Sequence, residues 1–333
     1  MSETPPEFLK ALLKSEAYSR NPKKINLHET STSYLFEADN FIYKIKKKSN
    51  EFSTLAVKEA FCHEECKLSK RFNPNLEVEV LPVMEKDGNI RMGTKKGSPI
   101  EYALKMETLK EKSFLSKLLE GNAIKVEHIS KIATRIAEIH SKSSPNNKSL
   151  ETGHQEVFRS LCDDMLFQMK RYFDSSKTQP ILDMIRHPLE KFIDENKKLF
   201  NKRQKLGRVV LGHGAFLPEH IFVDEDHVFF ISPHEVQKNF SIMDVANDVS
   251  SLAVELSRMK KNDLLELFLN QYLKISKDQD LFKMLPLYKT FCALKQGVKT
   301  CEMKVAQQND ELGILAMDYF HLAVRFSRDI PRT

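Results

Sequence analysis

Residues 211–223, LGHGAFLPEHIFV, decide how this chain is interpreted. A His-Gly pair opens a loop that contains Ala215, and the loop runs into the short apolar segment Ile221–Val223. A polar turn at 224–227, DEDH, separates that segment from a second apolar run at 228–231, VFFI. Two short apolar runs on either side of a polar turn predict a β-hairpin. The small side chain of Ala215 therefore lies in a loop directly before a hairpin.

The pattern of apolar residues changes once along the chain, near residue 107. Before this point, short apolar runs predict strands at 33–38, 41–45, 78–84 and 100–106, with one helix over 53–72. After it, helical spacing recurs at 126–141, 155–173, 181–197, 242–259, 263–275 and 281–325. We therefore predict an α+β fold in two lobes: residues 1–109 with a small mixed sheet and one helix, and residues 110–333, mostly helical with the hairpin inside.

Composition narrows the classes of function. The chain has 333 residues, 41% of them hydrophobic, which is enough to bury a substantial core. Its net charge is +6, and acidic and basic residues are mixed along the chain. Nucleic-acid binders usually concentrate basic residues, so we expect no nucleic-acid partner. We find no signal-like N-terminus and no apolar stretch of membrane-spanning length, and we expect a cytoplasmic protein without a membrane partner.

The five cysteines are odd in number and scattered, which argues against a disulfide framework. Cys62 and Cys66 lie one helical turn apart, a spacing that two zinc ligands could have. No second pair supplies the remaining ligands, so we predict that these thiols are buried structural groups.

Several motifs occur in an order that extends over most of the chain. They are ETSTS at 29–33, YKIKK at 43–47, FCHEE at 61–65, EYALKM at 101–106, the His-Gly loop at 213–214 and IMDVANDV at 242–249. With these motifs the chain resembles the bacterial aminoglycoside-phosphotransferase-like family, in particular an uncharacterised branch of kinases. The resemblance implies a protein-kinase-like fold with two lobes and a cleft between them.

The resemblance also implies a nucleotide side with ATP as cofactor. Lys44 matches the lysine that contacts the phosphates, with Lys46 as the alternative on the same strand face, and Glu65, or else Glu64, matches its partner on the helix. Met106, on the last strand, would line the nucleotide cleft. The alternative is a surface pair of a strand lysine and a helix glutamate, which has little energetic consequence.

The chemical side departs from the family. Its catalytic aspartate, metal-binding asparagine and metal-binding aspartate correspond here to Ala215, His220 and Ser232. Alanine cannot accept a proton, and neither a histidine nor a serine matches the hard oxygen ligands that Mg²⁺ prefers, which argues against Mg²⁺ as a cofactor. The residues that support the loop remain, namely His213, Gly214 and Asp248, and Asp248 is expected to accept hydrogen bonds from backbone N–H groups of the loop.

The residues expected to face the phosphoryl acceptor also differ from the family. In FCALKQGV at 291–298, Cys292 and Gln296 occupy two positions where the family has arginine. A relocated site remains an alternative, using an acid or a different metal such as zinc or manganese. Its candidate residues are Glu219, Glu235, Asp244 and the histidines His213, His220 and His234.

The sequence favours a pseudokinase that acts as a binding or regulatory module without Mg²⁺-dependent phosphoryl transfer. The expected partner is a small molecule or nucleotide in the cleft between the lobes, or a protein. The alternative is an active ATP-dependent small-molecule phosphotransferase with a displaced acid and metal site.

Overall fold

A computed structural model of the chain describes residues 7–30, 32–49, 52–143, 154–172, 175–231 and 242–331. The chain divides into two compact units. The first comprises residues 1–113 and 229–235, and the second comprises residues 114–228 and 236–333. Each unit has its own secondary structure and is described separately below.

The first unit contains a short helix, six strands and one long helix. In chain order they are α1 (Glu7–Leu12), β1 (Ile25–Glu29), β2 (Ser33–Ala38), β3 (Phe41–Lys46), α2 (Leu55–Phe72), β4 (Val78–Lys86), β5 (Asn89–Met92) and β6 (Ser98–Glu107). The strands form one sheet in the order β1-β2-β3-β6-β4-β5. The α+β class is confirmed, and the four predicted strands and the predicted helix are present.

The sheet is antiparallel at every described pairing, so the prediction of a mixed sheet is wrong. Strands β1, β2 and β3 follow one another through short turns, as do β4 and β5, and short turns can join only antiparallel neighbours. Strands β3 and β4, which flank α2 in the chain, run in the same direction, but β6 lies between them. The unit also has α1, β1 and β5, which the sequence did not predict, because these segments of six residues or fewer show little periodicity.

Each face of this sheet packs against different residues. Side chains alternate along a strand, so Phe41, Tyr43 and Ile45 of β3 share one face and enter the core with Leu9 and Leu12 of α1. Lys44 and Lys46 share the opposite face. On this opposite side Cys66 of α2 packs with Val78 and Leu104. The lysines of β3 therefore point to the side of the sheet that carries α2.

The second unit is mostly helical. Its elements are α3 (Leu115–Glu120), α4 (Val126–Lys142), α5 (His154–Lys170), α6 (Ser175–Glu195), α7 (Lys197–Lys205), β7 (Val209–Leu211), β8 (Ile221–Val223), β9 (Val228–Phe230, which ends in the first unit), β10 (Ile242–Asp244), α8 (Val245–Arg258), α9 (Asn262–Ser276), α10 (Leu281–Gln307) and α11 (Glu311–Arg328). Strands β8 and β9 form the predicted hairpin, and β7 pairs with β10.

Three predicted helices differ in extent from the observed ones. The segment 242–259 begins as β10, because residues 242–244 pair with β7 before the chain turns into α8. The segment 281–325 is two helices, since Gln308 adopts a left-handed conformation with φ of 52° and ends α10. The segment 181–197 belongs to α6 and α7, which meet at Asn196.

All five cysteines are free and buried, which confirms the predicted burial of Cys62 and Cys66. Among the described residues, no helix is both long enough and apolar enough to cross a membrane.

A buried guanidinium joins three segments of the second unit. Arg203 of α7 donates to Asp244 through Nε at 2.5 Å and Nη2 at 2.7 Å. It donates to Asp278, which follows α9, through Nη1 at 2.8 Å and Nη2 at 2.9 Å. Asp244 also caps α8 by accepting from the backbone N–H of Ala246. Arg203 is 1% exposed, so these hydrogen bonds lie in the protein interior.

We predict that Arg203→Met lowers the free energy of unfolding by about 3–5 kcal/mol, because it leaves the buried carboxylate of Asp244 without its cation and Asp278 with Arg208 at 3.8 Å. The neighbouring Lys202, which is 58% exposed and pairs with Asp280, provides the control. Lys202→Met should cost less than about 1 kcal/mol. Urea unfolding of both variants measures the difference, and equal losses would contradict a structural role for the buried network.

Candidate functional site

The first unit holds a buried ion pair between its sheet and its long helix. Lys44 Nζ of β3 lies 2.8 Å from Glu65 Oε1 of α2, and the two side chains are 11% and 6% exposed. Glu64, the alternative partner, is exposed. Helix α2 begins at Leu55, where the Thr54 side chain accepts from the N–H of Val57 and caps the helix.

The other lysine of this strand face has different neighbours. Lys46 Nζ lies 5.4 Å from the ring centre of Phe52 and 4.9 Å from that of Phe61, and the residue is buried. Both distances are within the range of cation–π attraction. Of the two candidates for the phosphate lysine, Lys44 is therefore the one beside the helix glutamate.

Met106 lies on β6 and is half-buried. Its side chain packs against the cluster of Cys66, Val78 and Leu104. The first unit thus contains all three residues assigned to the nucleotide side by the sequence, and their roles towards a nucleotide stay predictions.

In the second unit a buried carboxylate supports the loop 212–217. Asp248, in the first turn of α8, accepts from the backbone N–H groups of His213 and Gly214, each at 2.8 Å. Gly214 has a positive φ of 80°, which favours glycine. A Cβ atom at Gly212 would lie 2.5 Å from Asp248 Oδ2, so only glycine fits this approach.

His140 of α4 completes the surroundings of Asp248. Its Nε2 lies 3.2 Å from Asp248 Oδ2, and its Nδ1 lies 2.8 Å from the hydroxyl of Tyr272. A carboxylate only accepts, so Nε2 of His140 donates to Asp248. Burial by itself raises the pKa of Asp248, but the hydrogen bonds from His140 and the loop outweigh it, and the net pKa is lowered.

The two loop positions that the sequence resemblance assigns to the reaction are Ala215 and His220. They hold an apolar side chain and a histidine that is bound to the loop backbone. Ala215 is 4% exposed, and its carbonyl oxygen lies 3.1 Å from Nδ1 of His220, which must therefore donate. The ring of His213 stacks on the ring of Phe216 with centres 4.5 Å apart and an interplanar angle of 13°. Packed rings and a backbone hydrogen bond thus surround Ala215, the residue that the sequence resemblance places at the catalytic position.

Helix α10 contributes a lysine to the same loop, which the sequence did not single out. Lys295 Nζ donates to the carbonyl oxygen of Gly214 at 3.0 Å, and burial lowers the pKa of this lysine. Beside it, Cys292 Sγ lies 3.5 Å from the backbone oxygen of Asn247 and so faces α8. Gln296 is also buried. The two positions where arginines are expected thus hold Cys292 and Gln296, and it is the intervening Lys295 that binds the loop backbone.

Among the described candidates for a relocated site, His213 and His220 lie near each other, with ring centres 6.5 Å apart. Asp244 is bound by Arg203 and caps α8, and Glu219 is exposed on a 3-10 turn at Pro218–His220. Ser232, His234 and Glu235 lie outside the described residues. Within the ranges that the structure describes, no group of three or more His, Cys, Asp or Glu side chains could hold a metal ion.

Comparisons with known proteins identify the fold. A choline kinase from Cryptosporidium parvum has a TM-score of 0.58 at 11% identity and covers 97% of this chain and 96% of its own. A thermostable mutant of aminoglycoside phosphotransferase APH(4)-Ia, in ternary complex with AMP-PNP and hygromycin B, has a TM-score of 0.53 at 10% identity, covering 91% and 94%. The chain has the protein-kinase-like fold. The resemblance seen in the sequence is thus confirmed for the fold, and identities this low show nothing more.

Sequence relatives do not define an activity. Uncharacterised proteins from Mycobacterium tuberculosis and Mycobacterium bovis are 21% identical over 305 residues, which is 90% of this chain. The chain spans 59% of the length of these relatives. No protein-family model matches the chain.

We predict that Asp248→Asn lowers the free energy of unfolding at pH 7 by about 2–4 kcal/mol, because a neutral amide is a weaker acceptor and one of its groups is a donor facing donors. The folded-state pKa of Asp248 is lowered, so the stabilisation is complete above the ordinary aspartate value of about 3.9 and disappears as pH falls through the folded-state pKa. The difference between wild type and variant should therefore shrink below pH 4 in urea unfolding.

The exposed Asp318 of α11 supplies the matched control for this experiment. Asp318→Asn should change the free energy of unfolding by about 0.5 kcal/mol or less. A difference between wild type and Asp248→Asn that stays constant from pH 7 to pH 3 would show that the carboxylate charge does not support the loop.

Proposed function

We propose that the chain is a kinase-fold nucleotide-binding module that does not catalyse Mg²⁺-dependent phosphoryl transfer. The observation that carries this proposal is the contrast within one loop. The Asp248 contacts that hold the backbone of the loop are intact, while Ala215 supplies only a methyl group at the position of the catalytic carboxylate. A binding function needs only the conformation of this loop. Phosphoryl transfer also needs the reactive carboxylate, which Ala215 does not supply.

Contacts in the first unit support the nucleotide part of the proposal. Phosphoryl-transfer enzymes use a strand lysine, held by a helix glutamate, to contact phosphates. The Lys44 ammonium and the Glu65 carboxylate are in contact and largely buried, so the glutamate orients the lysine. The similar fold of an aminoglycoside phosphotransferase that binds AMP-PNP supports the choice of an adenine nucleotide as the first probe.

The side chains of Ala215 and His220 support the second part of the proposal, that the chain does not catalyse Mg²⁺-dependent phosphoryl transfer. A general base contributes about 10²- to 10⁴-fold to a rate, and the methyl group of Ala215 can neither accept a proton nor orient a hydroxyl. His220 is engaged with the Ala215 carbonyl through Nδ1. Mg²⁺ prefers hard oxygen ligands in octahedral geometry, which an imidazole does not provide. A nucleotide would therefore bind mainly through its contacts with the protein rather than through a bridging metal.

We predict that ATP raises the melting temperature of the wild type in the presence of EDTA and that Lys44→Met abolishes most of this rise. The reason is that removing the ammonium removes the charge opposite the phosphates. The matched control is Lys48→Met, an exposed lysine just beyond the end of β3, which should leave the ATP-dependent shift unchanged. Equal shifts in both variants would place the nucleotide elsewhere, and no shift in the wild type would exclude ATP as the ligand.

We predict that Ala215→Asp, His220→Asn and Ser232→Asp together create a Mg²⁺-dependent component of ATP binding, because they restore two oxygen ligands for the metal and the acceptor-side carboxylate. Thermal shift with ATP, with and without Mg²⁺, measures the gain. The matched control carries Ser232→Asn in place of Ser232→Asp, which keeps the size of the side chain but not its charge. Phosphate release by the wild type with Mg²⁺ or Mn²⁺ would instead support the active phosphotransferase.

A further inference from the structure

Helix α2 makes a second buried ion pair with the sheet, in addition to the one formed by Glu65. The Lys58 ammonium contacts the Glu101 carboxylate on β6. The two side chains are 11% and 5% exposed. Lys58 Nζ also donates to the carbonyl oxygen of Lys46 on β3 at 3.2 Å. One side chain thus connects the helix to two strands of the sheet.

The two ion pairs have opposite polarity. In the first, the strand supplies the cation Lys44 and the helix supplies the anion Glu65. In the second, the helix supplies the cation Lys58 and the strand supplies the anion Glu101. Lys58 precedes Glu65 by two turns of helix, so sliding or rotating α2 would separate both pairs and bring like charges closer together. The opposite polarity therefore selects one register of the helix on the sheet.

The hydrogen bond from Lys58 to β3 fixes the helix close to Lys44. The carbonyl that accepts from Lys58 belongs to Lys46, two residues beyond Lys44 on the same strand. The carboxylate of Glu101 is itself oriented, because its Oε1 accepts from the backbone N–H of Tyr102 at 3.1 Å. The position of Lys58 relative to β3 and β6 is thus fixed at both contacts, and Glu65 lies on the same rigid helix.

We infer that Lys58 and Glu101 are positioning residues for the nucleotide site: they hold α2 on the sheet so that Glu65 orients Lys44 before any ligand binds. This inference rests on the proposed role of Lys44 towards nucleotide. It assigns to the chain a site whose helix is placed by contacts within the first unit.

Cys62 allows the position of the helix to be measured without nucleotide. It lies one turn after Lys58, is buried, and its Sγ is 3.9 Å from the carbonyl oxygen of Tyr102 on β6. Burial, with the nearby carboxylates of Glu65 and Glu101, raises the pKa of Cys62 to about 12. A maleimide reagent should therefore label Cys62 slowly while α2 lies on the sheet and faster when the helix separates from it.

The experiment is a double-mutant cycle of Lys58→Met, Glu101→Gln and both together, with Cys62 labelling followed by mass spectrometry and ATP affinity followed by thermal shift. Each single change should accelerate labelling and weaken ATP binding by about tenfold, and the double variant should be no worse than the poorer single variant, because both remove the same pair. Lys58→Arg, which keeps the pair, should stay within about threefold of the wild type in both measurements.

Two controls separate a local effect from general unfolding. Lys67→Met changes an exposed lysine of the same helix and should leave labelling and affinity unchanged. Cys162, buried in α5 of the second unit, should remain protected in every variant that folds.

Unchanged labelling in Lys58→Met would overturn the inference, because the pair would then not hold the helix. Faster labelling with unchanged ATP affinity would overturn it too, since the pair would stabilise the unit without positioning Lys44. If the wild type does not bind ATP, the proposed function fails, and the labelling measurements alone then decide whether the pair holds α2.

Discussion

The buried carboxylate of Asp248 is the interaction on which the second unit's loop depends. It takes two backbone N–H groups and the His140 ring as donors, and it leaves no room for a side chain at residue 212. A carboxylate placed in the protein interior is strongly unfavourable unless such donors compensate its lost hydration. Selection on folding alone would therefore retain Asp248, Gly212 and Gly214, whether or not the loop catalyses a reaction.

The contacts of Asp248 with the loop backbone are separate from the side chains at positions 215 and 220. Ala215 and His220 make backbone and packing contacts that do not involve Asp248 directly, so they can change without releasing the loop. Lys295 adds a contact from the other side, because its ammonium donates to the carbonyl of Gly214. The first unit has a corresponding arrangement, in which two ion pairs of opposite polarity fix one helix on the sheet. In both units buried charged side chains hold the backbone in place. The side chains assigned to the reaction are different residues.

The sequence predicted the elements with strong local patterns and missed those defined by tertiary pairing. The amino-acid sequence shows the alternation of β2 and β3, the helical periodicity of α4 and α9, and the two apolar runs of the hairpin β8–β9. Strands β7 and β10 are three residues each, and the apolar residues of β10 continue into those of α8, so only their mutual pairing distinguishes them. Motif spacing singled out the pair of Lys44 and Glu65. No motif pointed to a pairing of Lys58 with Glu101, which lies 43 residues further on, in the segment EYALKM. Lys295 was missed for the same reason.

The most direct test of the account is the affinity of the wild type for ATP, measured by isothermal titration calorimetry in Mg²⁺ and again in EDTA. If the chain binds nucleotide through protein contacts and has lost its metal site, the two dissociation constants should agree within about threefold. An affinity at least about tenfold higher in Mg²⁺ would show that a metal site persists, and it would contradict the central claim that this fold has kept a binding role without phosphoryl transfer.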